Sequence, residues 1–351
     1  MAKISLCMIV RDEEAVLERC LKSVCPAVDE IIIADTGSKD STKKIAAQFT
    51  EQIYDYTWKE DFADARNFVF SKAGMDYQMW MDADDVLEDA EALSRLKEGL
   101  TADVVMLPYH VAFDENGQPT VSYYRERLLK RSRHFQWEGA VHEVITPTGE
   151  ILYGTPAILH KKEHTGDPDR NLRIYQKLID SGKVFTAREL YYYARELYYH
   201  KQYASAKAAF LHFLTKDGWI EDNIGTCLLL SRCCQAIGET EEAAAALFRS
   251  FRYGLPRAEI CCEIGKLFFE KENFTEAIFW YQAAISAPVS TGGFIEPDCH
   301  DYIPYLQLCV CYDRIGNLSK AAAYNERAGR IRPSSPAFLA NRTYFRQKGI
   351  H

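Results

Sequence analysis

The spacing of apolar residues changes once along this chain, and that change limits the possible folds more than any other feature. Up to about residue 109, short apolar runs alternate with segments in which apolar residues recur every three or four positions. The runs that we predict as strands are ISLCMIV, EIIIAD, QIYDYTW, YQMWMDAD and ADVVMLPY, and the predicted helices are EEAVLERCLKSV, DSTKKIAAQF and FADARNFVFSKA. Because strands and helices alternate, the N-terminal half is predicted to be an α/β domain of βαβ units with a mostly parallel sheet.

Residues 110–160 differ from the preceding part in being richer in aromatic and β-branched residues. They also contain the turn sequence Asp-Glu-Asn-Gly at 114–117. This pattern predicts antiparallel additions to the sheet, which we expect to line one wall of a ligand site.

Beyond about residue 186 only the helical spacing remains, and it recurs at a regular interval. The segments align at Tyr203/Ala206/Phe210, Gly238/Ala243/Leu247, Phe274/Ala277/Tyr281 and Gly316/Ala321/Asn325. The four alanines lie 37, 34 and 44 residues apart, and the insertion at 289–298 accounts for the longest interval. A 34-residue helix–turn–helix unit is the tetratricopeptide period. We therefore predict a first domain at 1–165, a helical linker at 166–186 and an all-α repeat domain at 187–351.

Charge and cysteine usage exclude several classes of protein. The formal charge is −8 and the basic residues are dispersed, so we expect no nucleic acid partner. The apolar stretch at 4–10 is too short to cross a membrane, and no longer run exists, so we expect no transmembrane segment and a cytoplasmic location. The eleven cysteines contain no CxxC pair and mostly lie among apolar residues, which indicates buried thiols.

Two carboxylates follow the fourth predicted strand directly. Alternation along a strand predicts that Asp82 and Asp84 share one face while Asp85 faces away or turns into the next loop. Open α/β sheets bind ligands at the carboxyl ends of their strands, and carboxylate oxygens there suit Mn²⁺ or Mg²⁺ bridging phosphates. A second DxD triplet, Asp167-Pro168-Asp169, has no preceding strand and is predicted to be a turn.

Polar residues also follow the earlier strands. Val10-Arg11-Asp12 follows the first, Asp35-Thr36-Gly37-Ser38 follows the second, and Arg66 lies on the helix after the third. These positions could be reached by one nucleotide bound at the edge of the sheet. The alternatives are an ordinary helix-capping turn at Asp35, which is compatible with binding, and a solvated helix charge at Arg66.

Four segments resemble, in order and spacing, the family 2 glycosyltransferases of GT-A fold: SLCMIVRDEEAVLERCLKSV, DEIIIADTGSKDSTKKIA, WKEDFADARNFVFSKA and WMDADDVL. FQWEGAVHEVI and ILHKKEHTGDPDRNLRIYQKL resemble a bacterial branch in which tetratricopeptide repeats follow that domain. The branch includes lipooligosaccharide sugar transferases and enzymes that glycosylate Cys or Ser of bacteriocin peptides. The resemblance implies an inverting, metal-dependent transferase that uses Mn²⁺ or Mg²⁺. It would move a hexose-type sugar from a nucleotide diphosphate sugar, foremost a UDP-sugar, to a peptide or saccharide acceptor.

The resemblance also implies roles for individual residues. Asp35 would contact the base, Arg66 the nucleotide or its phosphates, and Asp82 the ribose or the metal. Asp84 would ligate the metal, with His160 completing the site and His164 as its rival. The other nucleotide-sugar-binding positions that it implies are Val10, Arg11, Glu13 and Ala83.

An inverting transferase needs a base on the acceptor side. Our first choice is Glu143, oriented by His142, with Glu138 and Asp114 as alternatives, and a purely structural pairing of Glu143 is left open. A competing interpretation of the chain is an inactive scaffold whose repeats act as a protein-binding module. Neither interpretation decides whether the chain forms a homo-oligomer.

Overall fold

The computed structural model describes residues 1–113, 117, 119–163, 167–216, 218–289 and 295–350. Contacts divide the chain into two compact units, Met1–Lys183 and Val184–His351, and each is described by itself. The domain limits given above stay a prediction.

The first unit is a mixed sheet covered by helices. Over the described residues, the sheet has nine strands: β1 (Ile4–Val10), β2 (Glu30–Asp35), β3 (Ile53–Asp55), β4 (Tyr77–Trp80), β5 (Asp85–Leu87), β6 (Val104–Phe113), β7 (Pro119–Lys130), β8 (Ile151–Tyr153) and β9 (Ile158–His160). The helices are α1 (Leu17–Val24), α2 (Thr42–Ala46), α3 (Phe62–Phe70), α4 (Ala90–Leu96) and α5 (Arg170–Asp180). The strand order is β3-β2-β1-β4-β7-β6-β9-β5, with β8 also pairing with β6.

Strands β1 to β4 are parallel neighbours, as their spacing in the sequence predicts. Val10 is opposite Asp35 in β2, and Cys7 is opposite Trp80 in β4, so the carboxyl ends of these strands lie at one edge. Strand β1 is apolar apart from Ser5 because helices cover both faces of the sheet, and its residues contribute to the core on each side. The prediction of an α/β domain with a parallel core sheet is confirmed.

The region after β5 follows the prediction only in part. Strands β6 and β7 are antiparallel, but β8 and β9 run parallel to β6. The reason is the direction of the chain: β7 ends beside the start of β6, so β8 begins there and runs alongside β6 in the same direction. Of the turn predicted at 114–117, residues 114–116 lie outside the described residues.

Over the residues that the structure describes, the second unit contains helices and no strand. They are α6 (Ala187–Tyr199), α7 (Tyr203–Phe213), α8 (Ile220–Ala236), α9 (Thr240–Arg249), α10 (Ala258–Glu270), α11 (Phe274–Ser286), α12 (Tyr302–Arg314), α13 (Leu318–Ile331) and α14 (Pro336–Gln347). The four aligned alanines, Ala206, Ala243, Ala277 and Ala321, are all fully buried. They lie on the second helices of successive pairs, where a small side chain lets two helices approach closely, so the helical repeat is confirmed.

Two other sequence predictions concern the surface and the core. None of the helices in the described part of the chain is long and apolar enough to cross a membrane. The cysteines are free thiols and, apart from Cys25, are buried, as predicted.

Candidate active site

The two aspartates after β4 lie in a turn and not on a continued strand. Strand β4 ends at Trp80, and the turn is closed twice. The Asp85 amide donates to the Asp82 carbonyl (3.0 Å), and the Asp82 amide donates to Asp85 Oδ2 (3.1 Å). The prediction that Asp82 and Asp84 lie on a strand and share one of its faces by alternation was therefore wrong, because the chain leaves β4 before Asp82.

Arg66 connects the turn at residues 82–85, which we call the aspartate turn, to the segment that contains Glu143. Its Nη2 donates to Asp82 Oδ1 (2.7 Å), and its Nε donates to Glu143 Oε1 (2.8 Å). The Arg66 side chain is only 8% exposed, so it is not the solvated helix charge considered above. Its guanidinium carbon lies 4.8 Å from the ring centre of Trp137 and 5.2 Å from that of Trp80.

Burial and ion pairing act in opposite directions on this network. Burial alone would raise the pKa of Asp82, but the charge of Arg66 and its hydrogen bond, together with the charges of Arg127 and Arg125, outweigh burial and lower that pKa below its usual value. Burial would lower the pKa of Arg66, whereas the charges of Asp82 and Glu143 raise it. Arg66 therefore pairs with both carboxylates and ties the aspartate turn to the segment that contains Glu143.

His160 lies beside two carboxylates. Its Nδ1 is 3.4 Å from Asp84 Oδ1 and 3.3 Å from Asp85 Oδ1. Within the described ranges, Asp84, Asp85 and His160 form a group whose potential ligand atoms all lie within 4.8 Å of one another. The hydrogen bonds that His160 donates to Asp84 and then to Asp85 raise the pKa of His160 to about 10. The segment after His160 is fixed to α1, since Arg19 Nη2 donates to the Lys161 carbonyl (2.7 Å).

Beneath this group lies a buried ion pair that the sequence analysis missed. Arg127 and Asp85 are both fully buried, and Arg127 Nη1 donates to Asp85 Oδ2 (3.0 Å). The Tyr109 hydroxyl donates to Asp85 Oδ1 (2.9 Å). The available signal was weak: Arg127 follows the charged residues Arg125 and Glu126, so only the two leucines after it indicate that it lies at the buried end of β7.

Asp35 forms the turn predicted after β2 and has one oxygen to spare. Its Oδ1 accepts hydrogen bonds from the amides of Gly37 and Ser38, both at 3.0 Å. Its Oδ2 is buried and has no hydrogen-bond partner in the part of the chain that the structure describes. A buried carboxylate oxygen without a partner is costly, which is the usual mark of a site completed by a ligand.

The loops after β1 and β2 are bonded to each other, and we call residues 11–14 and 38–42 together the paired loops. The Asp12 amide donates to Ser38 Oγ (3.0 Å), and the Lys39 amide donates to Asp12 Oδ1 (2.7 Å). The Glu13 amide donates to Thr42 Oγ1 (2.7 Å). These loops lie at the same sheet edge as Asp35.

The remaining predicted residues are distributed around this edge. Val10 ends β1, and its carbonyl accepts from the Thr36 amide (2.9 Å), whereas the Arg11 side chain is exposed. Ala83 is buried in the aspartate turn, and His142 precedes Glu143 with a positive φ of 54°. Glu138 is exposed, and its backbone forms an isolated bridge with that of Val144. Two alternatives from the sequence analysis, Asp114 and His164, lie outside the described residues.

Two parts of the chain match known family models. Residues 5–149 match the family model of glycosyl transferase family 2, and residues 258–288 match that of the tetratricopeptide repeat. The chain thus contains a family 2 glycosyltransferase domain followed by a tetratricopeptide repeat.

Individual relatives match parts of the chain. The chain is 38% identical over 146 residues to a TPR repeat-containing protein of Synechococcus elongatus, covering 41% of this chain and 36% of the relative. It is 29% identical over 143 residues to the SPbeta prophage-derived glycosyltransferase SunS of Bacillus subtilis, covering 39% and 33%. The chain thus spans about a third of the length of these relatives. A crystal structure of MamA matches with a TM-score of 0.39 and 19% identity over 46% of this chain and 86% of MamA.

Proposed function

We propose that this chain is an inverting, metal-assisted glycosyltransferase. It would move a hexose-type sugar from a nucleotide diphosphate sugar, foremost a UDP-sugar, to a peptide or saccharide acceptor. The observation that carries the proposal is the buried, unpartnered Oδ2 of Asp35 at the sheet edge that also holds Asp82 and Asp84. Strands β2 and β4 are separated only by β1, which places their ends about 10 Å apart, a span suited to a nucleotide.

The Oδ2 atom of Asp35, which has no partner among the described residues, favours a nucleobase that offers a ring N–H. Uracil and guanine carry such a donor, so a UDP-sugar is the first candidate and a GDP-sugar the second. If the bound nucleobase left Oδ2 unpaired, the free-energy cost of a buried, unsatisfied carboxylate oxygen would remain in the complex. Asp35 therefore supplies base selectivity in this proposal.

The residues present fit a divalent cation. Asp84 and His160 are partly exposed and converge, and carboxylate and imidazole are ligand types that Mn²⁺ accepts. A cation held there would neutralise the diphosphate leaving group. In Asp82, Oδ1 is engaged by Arg66, so Oδ2 is the oxygen that would contact the ribose or the ion.

On the acceptor side, Glu143 is the base in this proposal. Inversion takes a single displacement, in which the acceptor attacks the anomeric carbon and its proton passes to the base. Arg66 fixes Glu143 Oε1 and ties it to the aspartate turn, which supports a defined position relative to the donor. The repeat domain would bind the acceptor peptide or a partner protein, as tetratricopeptide repeats offer extended binding surfaces.

The decisive experiment is a thermal-shift screen of nucleotide sugars with and without Mn²⁺, followed by a hydrolysis and transfer assay with the donor that binds. Asp84→Asn should abolish the Mn²⁺-dependent shift and the turnover. Asp167→Asn is the matched control, because it alters the other DxD triplet, which lies in the exposed turn before α5. If no UDP- or GDP-sugar binds or is hydrolysed in Mn²⁺, the proposal is wrong. If Asp84→Asn turns over the donor as fast as the wild type does, the metal-assisted part of the proposal is wrong.

A further inference from the structure

We propose that Asp85, held by Arg127 and Tyr109, is a positioning residue that sets the His160 imidazole beside Asp84. This inference rests on the metal site of the proposed function. It assigns Asp85 a task different from that of Asp84, although the two residues are adjacent and both lie near His160.

The backbone fixes the Asp85–His160 pair before any side chain is considered. Asp85 begins β5 and is directly opposite His160 in the antiparallel pairing of β5 with β9. Side chains directly opposite each other in such a pair lie on the same face, about 5 Å apart at their Cβ atoms. The contact between His160 Nδ1 and Asp85 Oδ1 (3.3 Å) therefore follows from strand register.

Both oxygens of Asp85 are already occupied. Oδ1 accepts from the Tyr109 hydroxyl (2.9 Å) and from His160 Nδ1. Oδ2 accepts from Arg127 Nη1 (3.0 Å) and from the Asp82 amide (3.1 Å). Asp85 is also fully buried, whereas Asp84 and His160 are 21% and 27% exposed. Asp85 is therefore the carboxylate that orients the histidine, and Asp84 and His160 remain to contact an ion.

The buried Arg127–Asp85 ion pair is an inefficient way to stabilise a core, because burying two charges costs desolvation free energy. Arg127 Nε and Nη2 have no hydrogen-bond partner among the residues that the structure describes. The guanidinium carbon instead lies 3.7 Å from the ring centre of Trp80 and 4.4 Å from that of Tyr109. Apolar residues of similar volume would often be at least as stabilising as such a pair. Its effect on geometry is direct, since it fixes both His160 and the amide of Asp82.

The test measures Mn²⁺ affinity by electron paramagnetic resonance in the presence of UDP, so no turnover is required. Tyr109→Phe removes one hydrogen bond to Asp85 and keeps the ring. The matched control is Tyr77→Phe, which removes a buried hydroxyl that donates to the Ala102 carbonyl (2.8 Å), away from the site. Loss of groups that orient a metal ligand typically weakens metal binding by about 10- to 100-fold. We expect Tyr109→Phe to bind Mn²⁺ about tenfold more weakly, and Tyr77→Phe to bind it as the wild type does.

A second variant separates positioning from stability. Asp85→Leu combined with Arg127→Met replaces the ion pair by apolar side chains, but it also removes the acceptor of the Tyr109 hydroxyl and of the Asp82 amide, so we expect a protein that still folds, with a lowered melting temperature. Its Mn²⁺ affinity should fall by about 10- to 100-fold. Wild-type affinity in a folded double variant, or equal losses in Tyr109→Phe and Tyr77→Phe, would overturn the positioning role while leaving the proposed function intact. A wild-type protein that binds no Mn²⁺ would instead overturn the metal part of the proposed function, and this inference with it.

Discussion

Binding of a divalent cation by Asp84 and His160 should depend steeply on pH, because the cation must displace a proton from the histidine. The pKa of His160 is raised to about 10 by Asp84 and Asp85, so the imidazole is charged at neutral pH in the absence of metal. Only the neutral imidazole ligates a metal ion. Between pH 6 and pH 8 the neutral fraction then rises by about 100-fold, compared with about fourfold for a histidine of ordinary pKa.

The measurement is a Mn²⁺ titration of the wild type at pH 6, 7 and 8 at constant ionic strength. Apparent affinity should rise by about tenfold per pH unit, with about one proton released for each ion bound. His160→Gln should bind more weakly and with little pH dependence over this range, since no imidazole proton has to be displaced. A wild-type affinity that changes only about fourfold from pH 6 to pH 8 would refute the reasoning, because it would place the pKa of His160 near its ordinary value.

Three further changes test other parts of the site and the fold. Asp35→Asn should weaken donor binding by about 10- to 100-fold, the value of a hydrogen bond to a charged group, as measured by calorimetry with the nucleotide. Glu143→Gln should slow transfer to a sugar hydroxyl by about 10²- to 10⁴-fold. Transfer to a thiol should slow by much less, because a thiol with a pKa of about 8.5 gives up its proton readily. Equal losses for both acceptors in a rate assay would contradict this. Ala277→Leu should lower the free energy of unfolding of the repeat domain by about 1–3 kcal/mol through overpacking, while nucleotide binding by the N-terminal domain is unchanged.

Much of the fold could be predicted because the deciding signals are local. Apolar runs such as Ile4–Val10 are buried on both faces of the sheet, and the recurring alanines mark close helix crossings. Asp35 could likewise be assigned to a turn, since its side chain bonds to amides two and three residues ahead. In each case the pattern and its cause lie within a few residues of each other.

The parts that could not be predicted depend on contacts between distant segments. The bond from Arg66 to Glu143 spans 77 residues, and the ion pair from Arg127 to Asp85 spans 42. No periodicity connects such residues, so a buried, paired Arg66 is indistinguishable in sequence from an exposed helix charge. The placement of Asp82 and Asp84 on a strand failed for a local reason, because strand alternation was extended past Trp80, where the chain turns.

The hydrogen bonds between the paired loops join the two loops into one unit at the rim of the sheet, that is, at the carboxyl ends of β1 and β2. Backbone amides of each loop donate to side chains of the other, so neither loop can open without breaking the hydrogen bonds of both. Segments linked in this way exchange their amide hydrogens as one cooperative unit. A nucleotide that contacts only the Asp35 side of the rim should therefore also slow exchange in the loop after β1.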